Sequence, residues 1–143
     1  MRTKSEFKAV RERVGITQAA LASIMGVSQR SVRYWEHPIS QRQPPEEAWR
    51  LLDDALDRQR QVVSFALQKV DKAEEITGTK VYVVRLPYWL TEGDYVQWST
   101  DSELGVIGNW RMANANNLVL AIRLEERGIE VEWVDGNPAR PTE

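Results

Sequence analysis

An α+β fold is predicted for this chain: an all-α N-terminal part, a long connecting helix and a small α+β C-terminal part. Three observations predict it. Short apolar stripes at helical spacing, Phe7 to Val14, Leu21 with Ala22, and Val32 with Trp35, are broken at Gly15 and Gly26. From Trp49 to Ala73 an apolar seam, interrupted only by Gln59, runs with no Gly or Pro inside it. Beyond Gly78, two runs rich in β-branched residues, Lys80–Leu86 and Ile129–Val134, flank a helical stretch at Met112–Arg127. The 143 residues, 42 % of them apolar, suffice for two small domains, placed at residues 1–60 and 61–143.

The elements follow from their local signals. Thr3-Lys4-Ser5-Glu6 fits a capping box, so the first helix is expected over Lys4–Val14. Thr17 caps the second helix, Leu21 and Ala22 form its inward face, and Gly26 supplies the left-handed residue that ends it. Val27 is expected to plug the corner, Ser28 to cap the third helix, Val32 and Trp35 to face inward, and Glu36 to pair with an Arg of the first helix. Pro38, Pro44 and Pro45 keep residues 37–45 from being helical. Pro45 then suits the first position of a helix continuing with Glu46 and Glu47 and closing at Thr77-Gly78. Residues 88–105 are ambiguous, with Asp94–Trp98 readable as a short helix or a strand, and residues 137–143 read as a loose tail.

Two short helices around one tight turn make a helix-turn-helix. Its second helix leaves Gln29, Arg30, Ser31, Arg33 and Tyr34 on the outer side. Arg reads guanine O6/N7 and Gln reads adenine N6/N7 through paired hydrogen bonds, so this face has the chemistry to read a major groove of double-stranded DNA. Ser28 at the helix start and Arg42 in the following loop complete the candidate DNA-binding set, with Lys4 beside them. Charge agrees. The whole chain carries −2, but residues 1–45 hold eight Lys/Arg against three Glu, a net of +5, which leaves −7 on the remainder.

Residues 5–36 resemble the Cro/C1-type (XRE-like) helix-turn-helix domain of phage and bacterial repressors. Gln18 at the start of the second helix, Leu21-Ala22, Gly26-Val27-Ser28 and Trp35-Glu36 carry the resemblance. It implies that Gln18 meets a phosphate together with the helix N-terminal N–H groups. One departure stands out: the family usually places Gly after Trp-Glu-x, and this chain has His37-Pro38. The third helix must therefore stop by a different cap.

The helix around Leu118-Val119-Leu120-Ala121-Ile122-Leu124 is apolar on more than one face, so the sheet is expected to cover one side and a second copy of the chain the other. Trp110, Leu118, Leu120, Ile122 and Trp133 are the candidate dimer interface. A second resemblance, to helix-turn-helix regulators found beside anti-CRISPR genes in phages, rests on the long helix after Pro45 and on Val106-Ile107-Gly108-Asn109-Trp110-Arg111. It implies a C-terminal dimerisation domain and an autorepressor of its own operon, bound to an inverted-repeat operator. The alternative is an antitoxin that reads DNA through the same motif and holds a toxin with its C-terminal half. The aromatic content of that half, Trp89, Trp98, Trp110 and Trp133 with three Tyr, also allows stacking on unpaired RNA bases.

Other classes are poorly served by these residues. There is no Cys and one His, so no disulfide framework or zinc site is expected, and no metal or cofactor. No phosphate-binding Gly-Lys loop, Gly-x-Ser-x-Gly or dinucleotide fingerprint is present, so no enzyme is expected, and the acidic group Asp94, Asp101 and Glu103 reads as solvated. With no apolar run near membrane-spanning length and no apolar leader, the expectation is a cytoplasmic protein without a membrane partner.

Overall fold

The computed structural model describes residues 2–100 and 110–140. The chain divides into two compact units, Met1–Arg58 and Gln59–Glu143, with the division inside one helix. Helices α1 (Lys4–Val14), α2 (Gln18–Met25), α3 (Gln29–Glu36) and the first part of α4 (Glu46–Thr77) build the first unit. The rest of α4, strand β1 (Val83–Tyr88), helices α5 (Glu92–Trp98) and α6 (Trp110–Glu126) and strand β2 (Glu130–Asp135) build the second. The fold is α+β, as the sequence predicts. Among the described residues no helix is long and apolar enough to cross a membrane.

In the first unit each helix start is held by its expected side chain. The hydroxyls of Thr3, Thr17 and Ser28 accept from the backbone N–H of Glu6, Ala20 and Ser31 at 3.0–3.1 Å. Gly15 and Gly26, at φ 80° and 68°, close α1 and α2 in the left-handed conformation. Phe7, Val14, Ile16, Leu21, Val32, Trp35, Ala48 and Leu52 are buried, and Phe7 stands edge-on to both Trp35 and Trp49 at 6.2 and 5.0 Å between centroids. The expectation for Val27 is corrected. Its side chain is 37 % exposed, and it is its backbone N–H, donating to the Ala22 carbonyl at 3.0 Å, that shapes the corner.

In the second unit β1 and β2 pair in parallel, Val83 opposite Glu130 through Tyr88 opposite Asp135, with α5 and α6 in the connection. One core joins Val63 and Leu67 of α4, Leu86 of β1, Leu120, Ala121 and Leu124 of α6, and Ile129. A second small cluster packs Trp89, Tyr95 and Ala113. Asn114 fixes the end of β1 by donating to the Trp89 carbonyl and accepting from the Trp89 N–H, at 2.8 and 2.7 Å.

Several expectations for this half are corrected. β1 lies at 83–88 rather than 80–86 and runs through Pro87, which is tolerated because, among the described residues, the sheet has two strands and each keeps an edge that needs no N–H. Gln59, read as a break in the seam, is buried, while Ala73 is exposed. Leu120, assigned to an interface between copies, is 6 % exposed and sits in its own chain's core, because it shares the inward face of α6 with Ala121 and Leu124. The end of the chain is not loose through residue 140: Arg140 donates to Asp94 at 2.7 Å and to Asp135 at 3.0 Å, and Asn137 donates to Asp94 at 3.0 Å. The Arg140 hydrogen bond, helped by Asn137 and Thr91, holds the Asp94 carboxyl below its ordinary range, so Asp94 is a structural anchor rather than a solvated acid. Asp101, Glu103, residues 106–109 of the second resemblance and the last three residues of the tail lie outside the described residues.

Candidate DNA-reading surface

Helix α3 separates its two jobs by position. Val32 and Trp35, three apart, are buried; Gln29, Arg30 and Arg33 are exposed on the other side, and Ser31 and Tyr34 are half-buried between them. Ser28 is committed to the helix start, its hydroxyl accepting from the Ser31 N–H and lying 3.1 Å from the Ser31 hydroxyl. A partnered Ser28 and small Ser31 keep the first turn slim, which lets a helix approach base edges closely.

The outward cations are not equally free. The Arg30 Nε donates to the Tyr34 hydroxyl at 3.0 Å, with its guanidinium 5.6 Å from the Tyr34 ring centre. The Arg42 guanidinium lies 5.4 Å from the same ring. Tyr34 therefore serves as a platform between two arginines, one on α3 and one on the following loop, each keeping N–H groups for a further acceptor. Arg33 is exposed and has no hydrogen bond or ion pair among the described residues.

Behind this surface lies a buried charge network. Arg11 of α1 meets Glu36 at the end of α3 with two prongs, Nε to Oε2 and Nη2 to Oε1 at 2.8 Å, and its Nη1 donates to the Ile16 carbonyl at 3.0 Å. The expected partner of Glu36 on the first helix is thus Arg11. Gln18 joins the same carboxylate, its Nε2 donating to Glu36 Oε1 at 3.1 Å. Its second amide hydrogen, its Oε1 and the backbone N–H groups of Gln18 and Ala19 remain for an external partner, the Ala20 N–H being held by Thr17.

The missing glycine after Trp35-Glu36 is replaced by two devices. His37 takes extended backbone, φ −80° and ψ 126°, as the following Pro requires, and its N–H donates to the Tyr34 carbonyl at 3.2 Å. Lys4 of α1 supplies the second: its Nζ donates to the Tyr34 carbonyl at 2.8 Å and also to the Arg42 carbonyl. An ammonium at a helix C-terminus meets the negative end of the dipole and an orphan carbonyl together. Lys4 is accordingly occupied inside the unit rather than presented beside Arg42. Nothing near Lys4 in the sequence signals this role, because the partners are backbone carbonyls 30 and 38 positions away.

The candidate interface residues of the C-terminal half separate in the structure. Leu118, Ile122 and Trp133 are 48, 59 and 42 % exposed. Trp110 is half-buried against the cluster of Trp89, Tyr95 and Ala113, with the Arg111 guanidinium 4.4 Å over its ring.

No curated protein matches the chain. Residues 7–61 match the helix-turn-helix family model, a span that opens in α1, contains α2 and α3 whole, and closes in α4. Chain order, caps, buried face and exposed Gln-Arg row all agree with that match, and it indicates a DNA-binding transcriptional regulator whose reading domain is this segment.

Proposed function

We propose that the protein is a repressor that binds an inverted-repeat operator as a homodimer and represses its own operon, in the manner of the regulators beside phage anti-CRISPR genes that its sequence resembles. The observation carrying the reading is the row Gln29, Arg30 and Arg33, exposed on a helix whose opposite face is locked into the core by Val32 and Trp35. In this reading α3 enters the major groove, Gln29, Arg30 and Arg33 reach base edges or phosphates, Arg42 grips the backbone beside the groove, and Gln18 meets a phosphate at the start of α2. One such helix covers few base pairs. Two copies about one DNA turn apart, roughly 34 Å, give the specificity a genome demands. Leu118 and Ile122, one turn apart on α6, and Trp133 on β2 supply the apolar surface for the second copy.

The test is operator selection from a random DNA library, followed by titration of the selected site. An imperfect inverted repeat with half-site centres about 10–11 base pairs apart, or a multiple of that, is expected. Arg30→Ala and Gln29→Ala should each weaken binding by about 1–3 kcal/mol with folding unchanged. Light scattering should give a dimer for the parent and a monomer for Leu118→Asp/Ile122→Asp. Recovery of a site without symmetry by a monomeric parent would overturn the dimeric reading, and unchanged titrations for both α3 variants would remove α3 as the reader.

A further inference from the structure

The two edges of the β1–β2 sheet are not alike. The Glu130 N–H donates to the Tyr82 carbonyl at 2.8 Å, and with Val83 opposite Glu130 this fixes which residues spend their main-chain groups inside the sheet: Val84, Leu86 and Tyr88 on β1, and Glu130, Glu132 and Val134 on β2. The alternate residues face outward. On the β1 side that edge is occupied at both ends: the Val81 N–H donates to the Glu74 carboxylate at 2.8 Å, Pro87 has no N–H, and the Pro87 carbonyl accepts from Asn117 Nδ2 at 2.8 Å. On β2 the outward N–H and carbonyl groups of Val131 and Trp133 have no hydrogen-bond partner among the described residues. The Trp133 side chain stands exposed there, edge-on to an equally exposed Tyr88 at 5.7 Å between centroids. An open strand edge is a template for another strand, and only the β1 edge is blunted against one by Pro and side-chain cover.

We infer that two copies of the chain join through β2, antiparallel across a two-fold axis at Trp133, so that one four-stranded sheet, β1-β2-β2-β1, runs through the pair. The inference rests on the dimeric reading above and names its contact. Antiparallel pairing sets outward-facing residues opposite outward-facing residues, so the axis falls at a residue and never between two. An axis at Glu132 sets Glu132 opposite itself, and one at Val131 sets Glu130 opposite Glu132; like charges directly opposite are destabilising. An axis at Val134 leaves Val131 opposite residue 137, beyond the end of the strand. An axis at Trp133 sets Trp133 against Trp133, Glu132 against Val134, and Val131 against Asp135, whose carboxylate is already held by Arg140 at 3.0 Å. No like charges meet, and each exposed indole gains an aromatic neighbour. The assembly stops at two copies, because the outer strands of the joined sheet present only the occupied β1 edge. Leu118 and Ile122 agree with this placement: they lie half a turn round α6 from Asn116 and Leu120, which line a hollow with Pro87, and so face away from the closed edge.

The test uses the full chain, which has no cysteine of its own, so introduced ones report cleanly. Glu132→Cys and Val134→Cys chains, co-expressed and then oxidised, should form the mixed disulfide at least about tenfold in excess of either self-disulfide, because residues directly opposite at that position stand about 4.5 Å apart between Cα atoms, within reach of a disulfide. Trp133→Pro removes an outward donor and leaves the β1–β2 ladder whole. Light scattering should give a monomer for it, with the far-UV circular dichroism of the parent. Trp133→Val keeps the N–H and should stay dimeric, its association weakened about tenfold. A dimeric parent without the excess of mixed disulfide, or a well-folded Trp133→Pro that remains dimeric, would overturn the β2 contact and leave the dimer to another surface. Should the Pro variant misfold, the disulfide comparison decides alone. A parent that is monomeric at every concentration would instead remove the dimeric reading itself, and this contact with it.

Discussion

Lys4 caps a helix that is not its own: its ammonium, on the first turn of α1, donates to the carbonyl of Tyr34 near the end of α3. The same nitrogen holds the Arg42 carbonyl, so one side chain fixes both the end of α3 and the loop that carries Arg42. Lys4→Met keeps the aliphatic stem and removes two charge-assisted hydrogen bonds. A loss of about 1.5–3 kcal/mol in urea denaturation is expected, together with weaker DNA binding from a displaced Arg42. Equal stability of the variant and parent would show that water satisfies those carbonyls as well as Lys4 does.

The Arg11–Glu36 pair behind α3 predicts an asymmetric response. Both side chains are almost wholly buried, at 9 and 4 % exposure. Removing one strands the other, so Glu36→Ala should cost about 3–5 kcal/mol, whereas the double replacement Arg11→Met/Glu36→Leu should cost much less than the sum of the two single changes. A double-mutant cycle by chemical denaturation measures the coupling directly.

Salt should control DNA affinity steeply. Arg30, Arg33 and Arg42 are exposed on one unit, and the proposed dimer would present two sets of them. Displacing a counterion at each contact predicts roughly a thousandfold loss of affinity between about 50 and 200 mM salt. A nearly flat log–log plot would contradict phosphate contact by these groups.

Gly136 has no side chain for a reason of space. A Cβ there would stand 2.2 Å from Cζ3 of the Trp89 ring, and Trp89 is buried. Gly136→Ala should destabilise the C-terminal unit by about 1–3 kcal/mol, and pairing it with Trp89→Phe should relieve part of that cost. Urea denaturation of the two single variants and the double variant decides it.

Acid should loosen the C-terminal unit through Asp94. The hydrogen bonds from Arg140, Asn137 and Thr91 depress its folded-state pKa below the ordinary 3.8, so it contributes stability that is fully present above that value and is lost as pH falls through the folded value. Denaturation midpoints followed from neutral pH to about pH 3 should fall more for the parent than for Asp94→Asn, which lacks the titrating group.

What was legible in the sequence follows from how far each cause reaches. Caps act over three residues, so Thr3, Thr17 and Ser28 announced the starts of α1, α2 and α3, and Gly15 and Gly26 their stops. The outward face of α3 was equally open to reading, because Val32 and Trp35 define its inner side. Helix α6 was harder. Its apolar residues surround it and spacing alone does not orient such a helix, so the inward place of Leu120 and the exposure of Leu118 and Ile122 are not distinguished by the sequence. Long-range contacts left no local mark at all: Arg140 on Asp94, Gly136 under Trp89 and Lys4 on Tyr34 join residues that nothing in the intervening sequence links. Pro87 inside β1 was hidden for a different reason, since a Pro reads as a strand boundary unless the strand is known to have a free edge.

The parallel pairing of β1 with β2 gives the two units different timetables during synthesis. Every core residue of the first unit has been made by residue 55. Strand β1 must wait for Glu130–Asp135 to leave the ribosome before it has a neighbour, and Leu86 waits with it for Leu120, Leu124 and Ile129. A nascent chain therefore carries a finished reading head while its other half is still an unpaired strand and an open helix seam. Its opportunity to fold wrongly, or to be captured by a chaperone, is concentrated in that interval.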